Sequence, residues 1–367
     1  MRVKKAVGIF VLIFVVGILA SDSDATEKLD LKLRLKPGQK YGMRTIMEDK
    51  ISQTIGGKQL NISHTKSTAV GFEVKEVDAN GIALVKVTYR TLQEKTVSPE
   101  GGMEYDSTKP DTHAENPLAP TYTAMMGESF VMKVAPEGKI VELKGIDEMF
   151  GRMAEKIIKA EDELISKAPM GICKRKKNNS AAAGEAQEEI SAEEKARRRI
   201  ERLNKRYGSR KKRKEALKEM IKKMPMFGED QIKNMLSDMI MVFPDRPVGI
   251  GDSWTAKMIL ASQSLPIEID GTYTVKGSKK GVVIVDISSK RDLDDEGVPI
   301  GKVRMKIAGS YQGTLEIDEA SGWVIRSKAN MKFSGEMKMA ANKQMPQGMT
   351  VPISIESVIT VEPIKVE

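Results

Sequence analysis

Residues that could carry acid–base, nucleophilic or metal chemistry are sparse in this chain of 367 residues. The two histidines, His64 and His113, stand in separate segments, so no His-rich metal site or serine–histidine–acid arrangement can be assembled from motifs. The single cysteine, Cys173, lies beside four basic residues, which would lower the pKa of its thiol, but its flanks are polar and an incidental thiol is the preferred interpretation. We therefore predict a protein that is not an enzyme and needs no cofactor.

Three further motifs resemble ligand sites without completing one. Gly249–Trp254 begins like a dinucleotide-binding loop but lacks the final glycine and leads into a β pattern. Asp292–Gly297 is acidic enough to suggest calcium, yet the full loop spacing is absent and a polar turn is favoured. Four methionines could be soft Cu(I) ligands, but the first two fit the buried face of a strand, so core packing is favoured; they are Met337, Met339, Met345 and Met349.

The elements that must carry any site are mostly strands. In residues 29–35 four leucines alternate with charged residues, which predicts a strand with one buried and one solvated face. The same period continues through residues 42–92, and residues 93–126 form an irregular, proline-containing stretch that predicts a loop or flap. After residue 247 the alternation resumes and runs to the C-terminal region.

The two β regions look like copies of one unit. The turn at Lys36–Tyr41 is answered by Pro247–Trp254, and the glycine spacing of Gly71–Gly81 is repeated at Gly271–Gly281. We therefore predict an α+β fold in which two related β halves, residues 26–145 and 247–367, form one curved, half-barrel-like antiparallel sheet. Residues 146–246 form a helical insert between them.

Two amphipathic helices are predicted in this insert, over residues 146–165 and 229–242. One apolar stripe on each should lie against the sheet, with helix and strand side chains lining an apolar groove. The predicted lining residues are Met149, Phe150, Met153, Met235, Met239, Met305, Met331 and Phe333. Flexible methionines adapt to varied ligands, so an apolar ligand or a lipid is the predicted partner.

The middle of the insert, residues 171–223, is strongly basic, with 19 Lys and Arg against 8 Asp and Glu. The preferred interpretation is a solvated, partly disordered helical excursion. The alternative is an electrostatic contact with an anionic membrane surface or an acidic envelope polymer. Its predicted contact residues are Arg197, Arg198, Arg199, Lys211, Lys212 and Arg213. Aromatic residues for base stacking are almost absent from the segment, and nucleic acid is not expected.

The N-terminus reads as a targeting segment. Three basic residues precede the unbroken apolar run Ala6–Ala20, which is shorter than the roughly 18 to 20 residues of a membrane span. Residues 1–25 are therefore predicted to be a signal peptide, with a retained N-terminal membrane anchor as the alternative. Either one predicts export to the periplasm, the cell envelope or the extracellular space.

Short turn motifs give the chain a family resemblance. The segments Leu35–Tyr41, Pro247–Trp254, Gly313–Asp318 and Ser321–Trp323 resemble an uncharacterised family of exported bacterial proteins, known as a domain of unknown function. That resemblance implies a secreted β-rich domain and brings no catalytic residues. In architecture the chain is also similar to half-barrel lipoprotein carriers. Two functions remain as hypotheses: binding of an apolar ligand or lipid, and a structural or interaction role in the cell envelope through the basic helix.

Overall fold

The computed structural model describes residues 28–113, 116–167, 208–224, 227–237, 239–262, 265–292, 297–300, 303–341 and 347–366, with the single positions 198, 201, 202 and 205. The strands are β1 (Lys40–Ile55), β2 (Lys58–Val77), β3 (Ala83–Ser98), β4 (Gly101–Asp106), β5 (Ser129–Val134), β6 (Ile140–Lys144), β7 (Ser253–Ser262), β8 (Leu265–Lys279), β9 (Val282–Arg291), β10 (Val298–Ile300), β11 (Val303–Asp318), β12 (Val324–Met339) and β13 (Met349–Pro363). The helices in these residues are α1 (Ala119–Met125), α2 (Ile146–Lys167), α3 (Arg210–Lys222) and α4 (Glu229–Ser237), with a 3-10 turn at Pro110–His113.

All thirteen strands belong to one open antiparallel sheet that joins the two β halves. The strand order is β6-β5-β3-β2-β1-β13-β12-β11-β9-β8-β7, while β4 pairs with β3 and β10 pairs with β11. The junction between the halves is the long pairing of β1 with β13. The edge strands are β6 and β7, and helix α4 contacts both. The sheet therefore curls until one helix spans the gap between its edges, which confirms the predicted α+β fold with a curved sheet.

The predicted duplication is visible in matched backbone geometry. Gly38 N donates to Val74 O, and Val74 N donates back to the residue after Gly38. Gly251 and Val275 make the same pair of hydrogen bonds at the start of the second half. In both halves the strand pair that follows has a register shift directly after this valine. The two β halves are therefore built on the same turn-and-bulge geometry.

The sheet has two ends, which we name by their turns. The proximal end carries the turns at residues 78–82, 135–139, 279–282 and 319–323, and the distal end carries the β1–β2, β7–β8 and β12–β13 turns. A large apolar core, the proximal cluster, packs the concave face of the proximal half together with the helices. A second group, the distal cluster, lies on the concave face nearer the distal end. Its buried members are Ile51, Ile269, Met305, Ile307, Met331, Phe333, Ile353 and Ile355.

Residues 29–35 cross the proximal end as an extended segment, so the prediction that they form a sheet strand is wrong. Their alternation still has the predicted effect, because the three leucines after Leu29 are buried. An isolated β-bridge joins Leu29 to Val248, and further backbone N–H groups donate to the carbonyls of Pro136 and Ser321. The segment runs across successive turns instead of along one strand, and so it does not form a continuous ladder.

The stretch predicted as a loop, residues 93–126, contains more regular structure than its prolines suggested. It completes β3, forms β4 and ends in α1, whose Pro120 lies in the first turn where a missing N–H costs nothing. Tyr122 of α1 is 1 % exposed and packs edge-on against Tyr105 of β4. The segment therefore covers part of the concave face, as the flap interpretation proposed.

Helix α2 confirms the first predicted helix and is held to the sheet through a buried carboxylate. Glu128, on the loop before β5, accepts from Arg152 Nε at 2.6 Å and pairs with Lys156 Nζ at 2.8 Å. The second predicted helix, residues 229–242, ends at Ser237 instead. Beyond it Met239 N donates to Leu236 O in a turn, and Phe243 N donates to Glu137 O of the β5–β6 hairpin, so the apolar stripe continues past the end of the helix.

Helix α3 corrects the interpretation of residues 171–223 as a solvated excursion. Its Ile221 is 0 % exposed and belongs to the proximal cluster, and Leu217 packs against the same cluster. The helix begins after Ser209, whose Oγ accepts from Lys212 N and caps the first turn. Residues 171–197 lie outside the described residues. The C-terminal part of the basic segment is thus a packed element of the fold.

Candidate functional site

The predicted groove residues divide between the two apolar clusters. Met149, Phe150, Met153 and Met239 are buried in the proximal cluster, and Met235 packs against it. Met305, Met331 and Phe333 are buried in the distal cluster. The structure therefore does not bring the eight residues into one groove, because the described helices lie mainly against β5, β6 and β7.

A belt of polar side chains lies between the two clusters on the concave face. His64, Asp49 and Ser357 are directly paired across β2, β1 and β13. The same row continues through Met331 and Tyr311 to a serine on β9. One row toward the proximal end, Lys66 of β2 is paired with Glu94 of β3. We call these polar residues, together with a threonine of β1, the polar belt: Thr45, Asp49, His64, Lys66, Glu94, Ser289 and Ser357.

His64 connects two carboxylates within this belt. Its Nδ1 lies 3.3 Å from Asp49 Oδ2, and its Nε2 lies 3.0 Å from Glu94 Oε1. Ser357 Oγ donates to the other oxygen of Asp49, and Tyr122 OH donates to Glu94 Oε2 at 2.6 Å. The side chains of His64 and Asp49 are 8 % and 0 % exposed. Each carboxylate oxygen thus has a hydrogen-bond partner in a largely dry environment.

These contacts shift several pKa values. Burial by itself would lower the pKa of His64, but the hydrogen bonds and charges of Asp49 and Glu94 outweigh it and raise the pKa to about 9. The imidazole is therefore a cation at neutral pH and donates from both ring nitrogens. Burial alone would raise the pKa of Glu94, whereas His64, Lys66 and Tyr122 together hold it below its usual value. Burial and the Glu94 carboxylate raise the pKa of Tyr122.

The geometry of this network is unsuited to a metal or to nucleophilic catalysis. Asp49 and Glu94 bind opposite nitrogens of the His64 ring, so their oxygens do not converge on one point. Ser357 donates to Asp49 and not to His64, so this network lacks the serine–imidazole contact of a catalytic triad. Among the residues that the structure describes, no group of three His, Cys, Asp or Glu side chains could hold a metal ion. What the belt offers is charge and hydrogen-bonding capacity inside an apolar surface.

Two hydroxyls of the belt have no hydrogen-bond partner. Thr45 Oγ1 and Ser289 Oγ are both buried and unpaired within the described structure. Both lie on the concave face, since Thr45 precedes Asp49 by four residues and Ser289 is paired with Tyr311. A small cavity of about 50 Å³ lies nearby, lined partly by Met258 and Tyr311, which contact both apolar clusters. Packing between the clusters is thus incomplete at the level of the belt.

The predicted anionic-surface residues are only partly available. Arg213 is 4 % exposed and donates to Asp162 of α2 at 2.9 Å, so the prediction that it contacts a surface is wrong. Lys211 and Lys212 are exposed, as is Arg198, while Arg197 and Arg199 lie outside the described residues. Other basic residues of α3 pair with α2 carboxylates, namely Arg210, Lys214, Lys218 and Lys222. Much of the basic charge of α3 therefore serves its packing on acidic α2.

The motifs that carried the family resemblance lie at the proximal end and have structural roles. Tyr41 stacks on Trp323 with ring centroids 4.3 Å apart, which ties the first turn to β12. Trp254 stacks on Tyr273 at 5.4 Å in the second half. A groove of about 350 Å³ opens beside Tyr41 and Trp323 where β13 ends. These motifs therefore mark how each β half begins, and the polar belt lies elsewhere.

Sequence reasoning missed the polar belt apart from noting His64. The available signal was the strand period: Asp49 lies two residues from Met47 and from Ile51, and His64 lies two residues from Ile62, so both belong to the inward-facing series of β1 and β2. A charged residue in the buried series of an alternating strand must find partners or a ligand. Identifying those partners needs the register of β1, β2, β3 and β13, because they are contributed by segments up to 308 residues apart.

The predicted signal peptide, residues 1–25, lies outside the described residues. Within the described part of the chain, no helix combines the length and the apolar character that crossing a bilayer requires.

Several solved structures show distant similarity to the chain. The chain is similar to lipovitellin, from a study of its lipid–protein interactions, at 8 % identity and a TM-score of 0.42, covering 90 % of this chain and 26 % of that one. It thus spans about a quarter of the lipovitellin chain. The translocator domain of the autotransporter NalP from Neisseria meningitidis gives 7 % identity and a TM-score of 0.20, with 90 % of each chain covered. Pseudomonas aeruginosa OpdQ gives 5 % identity and a TM-score of 0.21, covering 90 % of this chain and 99 % of that one.

Sequence comparison is more decisive. None of the curated proteins matches the chain. A family model does match, over residues 80–183 and 199–324, which together make up more than half of the sequence and reach into both β halves. The chain therefore belongs to the Family of unknown function (DUF6263).

Proposed function

We propose that the protein is an exported, non-enzymatic binding protein that holds a long apolar ligand against the distal half of its curved sheet. The observation that carries this proposal is the distal cluster itself. It is an apolar surface on the concave face of β1, β8, β11, β12 and β13, and the described helices pack mainly elsewhere. The predicted signal peptide supports a role outside the cytoplasm.

The composition of the distal cluster suits a variable ligand. Four of its side chains are methionines when the half-buried Met258 and Met337 are counted with Met305 and Met331. Methionine has three rotatable bonds and a polarisable sulfur, so it adapts to ligands of different shape. The isoleucines of the cluster and Phe333 supply most of the remaining apolar area. Such a surface favours an alkyl chain over a flat polar molecule.

The cluster is packed, and this has a consequence for binding. Its buried members are 9 % exposed or less, so a ligand must displace side chains to enter. Rotamer changes of Met305 and Met331 are the least costly way to make room, since neither side chain is branched. Binding should therefore be slower than diffusion allows.

The test is binding of an uncharged fluorescent naphthylamine, N-phenyl-1-naphthylamine, to the purified mature protein. We expect its fluorescence to rise on binding and to fall when monoolein is added. The double variant Met305→Gln and Met331→Gln nearly preserves side-chain volume but places two amides in the cluster, which should weaken binding by about tenfold or more. Native mass spectrometry of protein from its own host should show a bound lipid.

The matched control is Met103→Gln, because Met103 is 47 % exposed on the β3–β4 hairpin and lies outside both clusters. Its naphthylamine binding should equal that of the wild type. Equal binding by the Met305/Met331 double variant, or no binding by the folded wild type, would overturn the proposed function.

A further inference from the structure

Resting on this proposed function, we propose that Lys66 binds an anionic head group, so that the ligand is a long-chain carboxylate or phosphate amphiphile held with its head inside the sheet. The head would lie at the polar belt and the alkyl chain would follow the distal cluster. The inference goes beyond apolar binding because it names the charge and the orientation of the ligand.

Lys66 is placed on the concave face by its register. It is two residues from His64, and it is paired with Met47 on one side and Glu94 on the other. Its ammonium group influences Glu94 electrostatically, yet no carboxylate oxygen of the described residues lies within ion-pair distance of it. The nearby carboxylates have other hydrogen-bond partners, because Asp49 and Glu94 each accept from His64 and from a hydroxyl group.

Lys66 adds a positive charge to a part of the concave face where both carboxylates already bind His64. The negative groups of the strand interiors are Asp49 and Glu94. The positive groups beside them are Lys66 and protonated His64. A cation in a partly dry apolar setting is stabilised by a counter-charge, so an anionic occupant is favoured over a neutral or cationic one.

An unpaired hydroxyl lies in the adjoining row. Thr68 and Thr45 are paired across β2 and β1, which makes Thr45 a diagonal neighbour of Lys66 at a residue spacing of about 7 to 8 Å, within reach of a lysine side chain. Thr45 Oγ1 is buried and has no partner in the described structure. A buried donor left unpaired costs about 1 to 3 kcal/mol, and a head-group oxygen would remove that cost.

The dimensions fit a long acyl chain. From the row of Lys66, strand β1 continues from Met47 to Ile55, a length of about 26 Å at 3.3 Å per residue. The concave side of this stretch carries Ile51 and its distal-cluster neighbours. A chain anchored at Lys66 would pass the row of Asp49 and His64 and then lie along the apolar side chains of the distal cluster.

The experiment compares three ligands that share the oleoyl chain and differ in the head: oleate, oleoyl lysophosphatidate and monoolein. Each displaces the uncharged naphthylamine from the wild type, from Lys66→Met and from Lys66→Arg. We expect Lys66→Met to weaken an anionic ligand by about tenfold or more while monoolein is unchanged, and Lys66→Arg to restore most of the loss. Whichever of oleate and lysophosphatidate loses more identifies the head as carboxylate or phosphate.

The control is Lys50→Met, which removes the same charge from the outer face of β1, where Lys50 is exposed. It should leave all three affinities unchanged. Equal losses for monoolein and the anions in Lys66→Met, equal losses in Lys50→Met, or no loss at all would overturn the inference. These outcomes leave naphthylamine binding intact, whereas failure of the proposed function abolishes it. If Lys66→Met does not fold, Lys66→Gln with the same melting temperature as wild type replaces it.

Discussion

At the scale of single residues, the protonated His64 is the most consequential charge in the interior. It is held between Asp49 of β1 and Glu94 of β3, with Lys66 on its own strand and Tyr122 of α1 in the same network. Three strands meet at this one side chain, and helix α1 is joined to it through Glu94. Because its pKa differs between the folded and unfolded chain, the proton on His64 couples stability to pH.

We predict that the protein loses stability at alkaline pH. The unfolded histidine titrates near 6.5 and the folded one at about 9, so the folded state binds this proton more tightly. Its contribution is complete below pH 6.5 and is lost as the pH rises to 9, a loss of about 3 kcal/mol. The lowered pKa of Glu94 acts in the opposite direction, stabilising above its ordinary pKa and failing in acid. Urea unfolding between pH 5 and 10 measures the free energy of unfolding across both the alkaline and the acidic decrease.

Glu94→Gln tests the cause of that pH dependence. Removing one carboxylate lowers the pKa of His64, so the alkaline loss should be smaller and should begin at lower pH. The control is Glu104→Gln on β4, whose exposed side chain pairs only with Lys95 among the described residues. A wild-type stability that is constant from pH 6.5 to 9 would contradict this account.

At the scale of elements, the basic helix α3 is part of the core despite its charge. Ile221 lies in the proximal cluster, and the ion pairs to α2 fix the helix in register. The exposed pairs add little stability individually, so burial of the apolar side should supply most of the docking energy.

We predict that Ile221→Ala costs about 2 to 5 kcal/mol, because it leaves a cavity under a side chain that is 0 % exposed. Its neighbour Met220 is 43 % exposed, so Met220→Ala should change the free energy of unfolding by less than about 0.5 kcal/mol. Chemical denaturation of the two variants decides between a docked helix and a solvated one. Equal, small losses of unfolding free energy in the two variants would show that α3 is solvated and not docked on the core.

At the scale of the whole molecule, close approach of β11 and β12 accompanies the curvature of the sheet. A Cβ on Gly309 would lie 2.0 Å from Lys332 O, and one on Gly335 would lie 1.9 Å from Lys306 O. These glycines interrupt the apolar series on the concave face at the centre of the distal half. Glycine at such positions lets strands coil more tightly than side chains would permit.

We predict that Gly309→Ala destabilises the protein by about 1 to 3 kcal/mol, because backbone atoms and not a flexible side chain must move. Gly277→Ala on β8 is the control, since nothing lies within 4 Å of a Cβ there. It should be neutral or slightly stabilising. Thermal unfolding compares the two, and similar melting temperatures would show that the tight crossing is not required.

The sequence by itself determined the local periods. Alternation in β12 placed Met331 and Phe333 on a buried face, and the repeated glycine spacing predicted two related β halves in one curved sheet. The stripe of α2 placed Met149, Phe150 and Met153 in the core. Such patterns are readable because a side chain's face depends only on its own strand or helix period.

The tertiary structure alone decided which faces meet. In it, residues 29–35 lie outside the sheet and Arg213 is buried against Asp162. The predicted groove residues belong to two clusters, and the polar belt lies between them. Each of these depends on register or on a partner far along the chain, as when Ser357 meets Asp49. A local pattern shows that Asp49 points inward. That His64 lies between two carboxylates follows only from the pairing of β1 with β2 and from the contact of Glu94 of β3 with His64. Those partners are brought together by the folding of the whole sheet.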